Sequence, residues 1–401
     1  MLKHLVAITL IFCGASLAWM ILGATLAART ADSDTNQQQR LTTQWGSSQI
    51  QVAPRVSAQF VLDTYDTRHK AFERSYKEVV VPIRGSRINV NLDLEQRRKG
   101  LLWYNLYDVR FLAHYRVRND TSNAHLAVRF LLPDAGANYA DLIFRIGGRQ
   151  IDNAAALDRD RVSFDLQPRQ ETVIDVGYRS RGMESWIYRF KNGIESVNDF
   201  ALTMTTNFKA IDFPPQTLLP VTEDDLGKGW RLQWKYSTLI TGNGIGMGVP
   251  YPLQPGPLAQ RITFWAPVAL LFYLFVMLLI TTLRGVDLHP VNYFFLACAF
   301  FAFHLLFAYL VDRIPIELAF TICSLVSMLL TISYLRLVVG WRFAAVESGL
   351  AQLVYLVLFS YALFNEGWSG LTITIGAIIT LFVAMQLTGR IRWSERLAVS
   401  V

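Results

Sequence analysis

Four ionisable side chains stand in or at the ends of stretches that are otherwise apolar: His304, Glu317, Arg336 and Glu347. A charge or an imidazole in hydrocarbon is costly and turns towards a bundle interior or a cavity, so such groups mark proton relays, ion paths or ligand sites. His304 lies near the middle of its stretch and is the most deeply placed titratable group. Two readings are open for it: a relay or ligand site, or a neutral histidine that hydrogen-bonds a neighbouring helix. Glu317 and Glu347 lie near the ends of theirs, where snorkelling or pairing is the default. Arg313 is in reach of the first, and Arg336 or Arg342 of the second. Thr321, Ser324, Ser327 and Thr331 recur at three- and four-residue spacing, which reads as a helix packing seam, with a polar pore lining as the rival.

TGNGIGMGVPYPLQPGP, residues 241–257, raises a different chemistry. Its glycines alternate strictly, so Met247 stands where a dinucleotide fingerprint needs its third glycine, and no Gly-Lys-Ser/Thr follows to make a phosphate loop. With no periodicity and many Gly and Pro residues, it reads as a linker, semi-flexible in its glycine half and extended in its proline half.

Soluble-enzyme constellations are absent: there is no His-Glu-x-x-His, no Gly-x-Ser-x-Gly, no Cys-x-x-Cys and no Asp-rich calcium loop. His69, His114 and His125 are not at metal-ligand spacing. No catalytic residue, metal site or cofactor is expected.

The elements that must carry these residues follow from composition. The chain has 401 residues, mean hydropathy +0.28 and formal net charge +7, and only eight of its 38 Lys and Arg lie outside residues 29–261. That is a soluble domain inserted between membrane spans. Six stretches reach the length of about 20 apolar residues that a bilayer requires: 4–27, 262–283, 291–311, 314–339, 343–364 and 369–388. The first exceeds the apolar core of a signal peptide and reads as an uncleaved anchor. Lys3, Arg284, Arg336, Arg342, Arg390, Arg392 and Arg396 would share the cytoplasmic side, against Arg313 alone opposite. Both termini are therefore expected inside and residues 29–260 outside. Cys13, Cys298 and Cys323 all fall in spans, leaving the exported part without disulfides.

Within that part, period-two alternation dominates. In YDVRFLAHYRVRN the inward set is Tyr107, Val109, Phe111, Ala113, Tyr115 and Val117, and His114 faces solvent. RINVNLDL, AHLAVRFLLP, DLIFRIGG, VSFDLQ, TVIDVGY, DFALTMTTNF and WRLQWKY repeat the pattern between turn residues. The expected fold is α+β: one N-terminal and five C-terminal transmembrane helices with a large inserted β-sandwich-like domain. Its parts would be an anchor (1–28), a β-rich exported domain (29–240), a linker (241–261), a five-helix bundle (262–389) and a tail (390–401). The polar stretch after the anchor could continue its helix for a few turns, and TRHKAFERSYKEV carries a weak helical signal.

The order of these features resembles the CreD family of bacterial inner-membrane proteins. WGSSQIQVAP, with Gln49 and Pro54, is similar to the family's Gln and Gly-Pro stretch, Ala53 standing for its glycine. LEQRRKGLLWYNLYDVRF places Glu95, Arg97 and Gly100 as in the family's Glu-x-Arg-x-x-Gly segment. FPPQTLLPV followed by GWRLQW supplies Pro220 and Trp234, and LHPVNY supplies His289 and Pro290. Residues 334–341, YLRLVVGW, resemble the family's mark at the end of the fourth span. The resemblance implies a role in envelope integrity and stress without an established biochemical activity.

The leading expectation is a non-enzymatic envelope protein that binds an envelope component, protein or anionic lipid, through its exported domain. The alternative is a transporter of a small molecule, lipid or protons that uses polar groups of the bundle. Arg29, Arg40 and Arg261 are candidates for lipid head groups, solvated charge being the plainer reading. Export leaves nucleic acid no place as a partner.

Overall fold

Alternation of apolar and polar residues decides the architecture of one unit, and length of apolar run decides the other. The computed structural model describes residues 2–66, 71–151, 161–190, 195–249, 252–365 and 367–389. His69, Glu366 and the tail 390–401 with Arg390, Arg392 and Arg396 lie outside the described residues. The chain divides into a helical unit (1–35, 99–102 and 253–401) and a β unit (36–98 and 103–252).

Helix α1 (Leu2–Trp45) continues past the apolar stretch, as its polar extension allows. The strands are β1 (Gln49–Val52), β2 (Arg55–Asp66), β3 (Ala71–Val81), β4 (Ile83–Lys99), β5 (Leu102–Arg118), β6 (His125–Arg129), β7 (Tyr139–Ile146), β8 (Arg149–Gln150), β9 (Val162–Asp165), β10 (Glu171–Met183), β11 (Ser185–Arg189), β12 (Glu195–Thr206), β13 (Thr222–Asp225), β14 (Trp230–Thr241) and β15 (Ile245–Gly248). They form an eight-stranded sheet in the order β13-β14-β12-β4-β5-β10-β7-β8, a four-stranded sheet β3-β2-β6-β9 and a three-stranded sheet β1-β11-β15. Inner faces of all three contribute to one core, with Ile88 and Phe111 from the first, Ala58 and Val128 from the second, and Trp186 and Met247 from the third. Each Ile, Val, Phe or Met side chain so withdrawn from water contributes about 1.5–3 kcal/mol. All six residues of the inward set named for β5 are buried.

Two local expectations are corrected. AFERSYKEV is not helical: β3 pairs antiparallel with β2 over Val56–Asp66, because β-branched and aromatic residues in a two-stranded register outweigh a weak helical period. The glycine half of the supposed linker is strand β15, paired antiparallel with β11 through Ser185↔Gly248 to Tyr188↔Ile245, with Ile245 and Met247 in the core. Glycine is required there for closeness, not for flexibility. A Cβ on Gly246 would stand 2.8 Å from Ile187 Cγ1 and 3.1 Å from the Trp186 carbonyl oxygen.

In the helical unit, α2 (Pro255–Arg284) starts before the expected boundary, with Pro255 at its first turn and Gly285 (φ 66°) ending it. It is followed by α3 (Pro290–Leu310), α4 (Ile316–Val338), α5 (Phe343–Ala362) and α6 (Ser369–Thr388). Within α5, residues Phe343–Ser348 and Leu353–Leu358 wind as π-helix on either side of Gly349–Gln352. Among the described residues five helices are long and apolar enough to cross a bilayer, and α6 carries a shorter apolar stretch, Gly370–Gln386. The chain is thus a membrane α+β protein.

Candidate functional site

The four residues singled out in the spans go to separate places. His304 is buried on α3; its Nδ1 lies 3.2 Å from the Phe300 carbonyl oxygen and its ring packs against Trp19, Phe300 and Phe303. That contact makes Nδ1 the donor and leaves Nε2 as a lone-pair acceptor with no partner among the described residues. Glu317 is exposed in the first turn of α4. Its expected partner, Arg313, lies 3.7 Å from Asp312 instead. Glu347 does not meet Arg336 or Arg342 among the described residues: its Oε1 accepts from Arg284 Nη2, at the end of α2, at 3.0 Å. Arg336 is exposed. No hydrogen bond or ion pair joins His304, Glu317, Glu347 and Arg336 among the described residues.

Sequence reasoning missed the polar node that does form. Ser327 Oγ donates to the Ala299 carbonyl at 2.6 Å, and Gln352 Nε2 donates to Ser327 Oγ at 2.8 Å. All three residues fall near the middle of their helices, and Ser327 and Gln352 are fully buried. Since Ser327 spends its proton on Ala299, Gln352 must present its amide nitrogen to Ser327. Among the described residues its Oε1 then has no partner, nor does the hydroxyl of Thr331 one turn further along α4. The hydroxyl stripe is therefore a packing seam at Ser324, Ser327 and Thr331, while Thr321 faces outward. A glutamine in an apolar run was visible; its pairing with α4 was not, because nothing local fixes which face of a π-wound helix turns inward.

The positions shared with the family pattern are mostly joints. Gln49 is buried, and its Nε2 donates to Ser180 Oγ (3.0 Å) and the Arg181 carbonyl (2.8 Å). Pro54 is buried between β1 and β2. Glu95 and Arg97 pair at 2.6 Å on β4, and Gly100, at φ 60°, lies in the β4–β5 turn. Pro220 precedes β13, and the buried Trp234 donates its ring N–H to the Leu218 carbonyl at 2.9 Å. His289 caps α3, its ring accepting from the Val291 amide at 3.4 Å, and Pro290 is the first helical residue. None of these makes a pocket with a nucleophile and a base.

The outward face of the eight-stranded sheet is built differently. Alternation that buries Ile88, Phe111 and Tyr178 puts Arg87, Arg110, Arg116, Arg118, Arg179 and Arg181 on the other side. Three aspartates there are each shared by two arginines. Asp199 takes Arg87 Nη2 at 2.6 Å and Arg116 Nη2 at 2.8 Å; Asp120 takes Arg84 and Arg118; Asp108 takes Arg181 Nε at 3.2 Å, with Arg179 at 3.9 Å. Gly85 leaves room for the first group, since a Cβ would stand 2.9 Å from Asp199 Oδ2. Hydrogen bonds from Arg87 hold Asp199 below the usual carboxylate range, and those from Arg84 and Arg118 do the same for Asp120. Asp199 and Asp108 are thus each outnumbered two to one by the arginines they hold, while Glu171 stands opposite Arg118 and adds a second acid to the Asp120 group. His114 pairs with Asp175 at 2.6 Å on the same face, where it had been expected to be merely solvated.

Residues 220–394 match the family model described as inner membrane protein CreD. The match takes in β13 to β15 and α2 to α6, and with them Pro220, Trp234, His289, Pro290 and the Ser327–Gln352 node. No curated protein matches the chain.

Proposed function

We propose, from the premise that the chain belongs to the CreD family of inner membrane proteins, that it serves envelope integrity by binding an envelope component through its β domain, without turnover. The observation that carries this reading is the exposed face on which arginines outnumber the carboxylates they share. Arginine in excess on a sheet face, with its aspartates already committed, is suited to recognition by charge and hydrogen bonding. In this reading both termini and the basic short loops are cytoplasmic, residues 29–260 are periplasmic, and six helices span the membrane. A photo-crosslinking residue in place of Leu112, midway along β5, tests it in living cells, with Val80 on the four-stranded sheet as control. A recurrent adduct from position 112 but not from 80 is expected. Equal labelling at both, or none at either, would remove the binding role.

A second reading, transport through the bundle, is favoured by one observation: the Ser327–Gln352 node lies between two π-wound turns, and such turns recur at functional sites. Substituting His304 and Gln352 by Ala separates the two. Binding predicts an envelope phenotype close to the parent's, and transport predicts its loss.

A further inference from the structure

Arg110 on β5 and Arg179 on β10 are direct partners across an antiparallel pair. Their neighbours Phe111 and Tyr178, also paired, stack inward at 5.0 Å, so both guanidinia are held on the outer face. Like charges directly opposite each other in a sheet are destabilising. Asp108 relieves the pair only in part, since it lies 3.9 Å from Arg179 and is shared with Arg181 at 3.2 Å. Arg110 is exposed and has no acidic partner among the described residues. The same surplus recurs where Asp199 of β12 is shared by Arg87 and Arg116.

The arrangement also says what kind of anion it fits. From Asp108 to Arg118 the strand runs about 33 Å at 3.3 Å per residue. The arginines are spread along an open sheet and do not converge on one point, so a single small anion would meet one or two of them and leave the rest unsatisfied. Two apolar side chains, Leu112 (36% exposed) and Val173 (40%), stand among the guanidinia. Many phosphates in a plane, with apolar material just beneath them, would satisfy both features.

We infer that this face docks on an anionic phospholipid surface, with the Arg110 and Arg179 guanidinia taking phosphate oxygens. The inference rests on the binding role proposed above and names its partner. Guanidinium forks bind phosphate bidentately, and a cation near an anionic surface adds to binding independently of its neighbours.

The test uses the full chain in nanodiscs of phosphatidylcholine, captured by vesicles of phosphatidylcholine alone or mixed with phosphatidylglycerol. Capture by the mixed vesicles only, weakening as salt rises, is expected. Arg110→Ala with Arg179→Ala should bind about 30-fold more weakly. Arg110→Lys with Arg179→Lys keeps the charge and should stay within about threefold of the parent. Both positions are exposed and their like charges oppose each other, so neither variant is expected to melt below the parent. Equal capture by both vesicle types, or an alanine pair that binds as well as the parent, would overturn the inference. So would loss of capture on adding glycerol phosphate at constant ionic strength, which would mean a site for a free phosphate. Protein adducts alone from position 112 would sink lipid docking yet leave the binding role standing, and no adduct at all would sink both.

Discussion

Arg29 Nη2 lies 3.1 Å from Asp312 Oδ2 and joins α1 to the turn between α3 and α4. The same guanidinium donates to the Ala308 carbonyl through Nη1 at 3.1 Å and stands 5.0 Å above the Tyr309 ring. Both partners are partly buried, so removing Arg29 leaves Asp312 only the more distant Arg313, and removing Asp312 leaves Arg29 only the Ala308 carbonyl and the Tyr309 ring. Arg29→Ala or Asp312→Ala is expected to destabilise the helical unit by about 2 kcal/mol. The double variant should lose less than the sum of the two, as thermal unfolding of the solubilised protein would show. Strictly additive losses would mean that the pair carries no coupling.

A linker and a core strand respond oppositely to a side chain at Gly246. As a tether, Gly246→Ala would be neutral or slightly stabilising. As part of β15, the new methyl meets Ile187 and the Trp186 carbonyl, and a loss of about 1–3 kcal/mol is expected from overpacking. Adding Ile187→Ala should recover part of it, because Ile187 supplies the nearest contact. Chemical denaturation followed by tryptophan fluorescence would distinguish the cases.

What was legible in the sequence was whatever has a period. The inward residues of β5 are buried as alternation required, and the helices fall where apolar length put them. What was not legible needed a partner from far along the chain. Strict glycine alternation in residues 242–248 is compatible with both tether and strand, and only β11 lying against it decides. Glu347 is paired across 63 residues to Arg284, where sequence proximity pointed to Arg342. Alternation with the inward set also puts Arg110 on the outer face. That Arg179 lies opposite it depends on register between two strands some seventy residues apart, which composition cannot supply.

The Ser327–Gln352 node should matter for packing whatever else it does. Ser327→Ala removes the acceptor of Gln352 Nε2 and the donor to Ala299, leaving a buried amide without its bond. Hydrogen bonds between membrane helices average about 0.6 kcal/mol and reach about 1.7, so a loss near the upper value is expected. Gln352→Leu, which removes the amide altogether, should cost less than Ser327→Ala, since it strands no donor. The reverse order in an unfolding assay would show that Gln352 Oε1 has a partner of its own.

Acid should loosen the β domain in a defined direction. Asp199 and Asp120 are held below the usual range by hydrogen bonds from Arg87 and from Arg84 with Arg118. Asp134 is partly buried, which raises its pKa, but the amides of Ser47 and Gly136 and the Ser47 hydroxyl outweigh this and lower it. A carboxylate whose pKa is lower in the folded state stabilises the fold above the unfolded value of about 4 and loses that contribution as pH falls through the folded value. The melting temperature is therefore expected to be flat from neutral pH to about pH 5 and to drop below about pH 4. Replacing Asp134 with Asn, which cannot accept three donors as a carboxylate does, should lower the neutral plateau and flatten the acid limb together. A variant that lowered the plateau but kept the parent's acid slope would show that other carboxylates govern the transition.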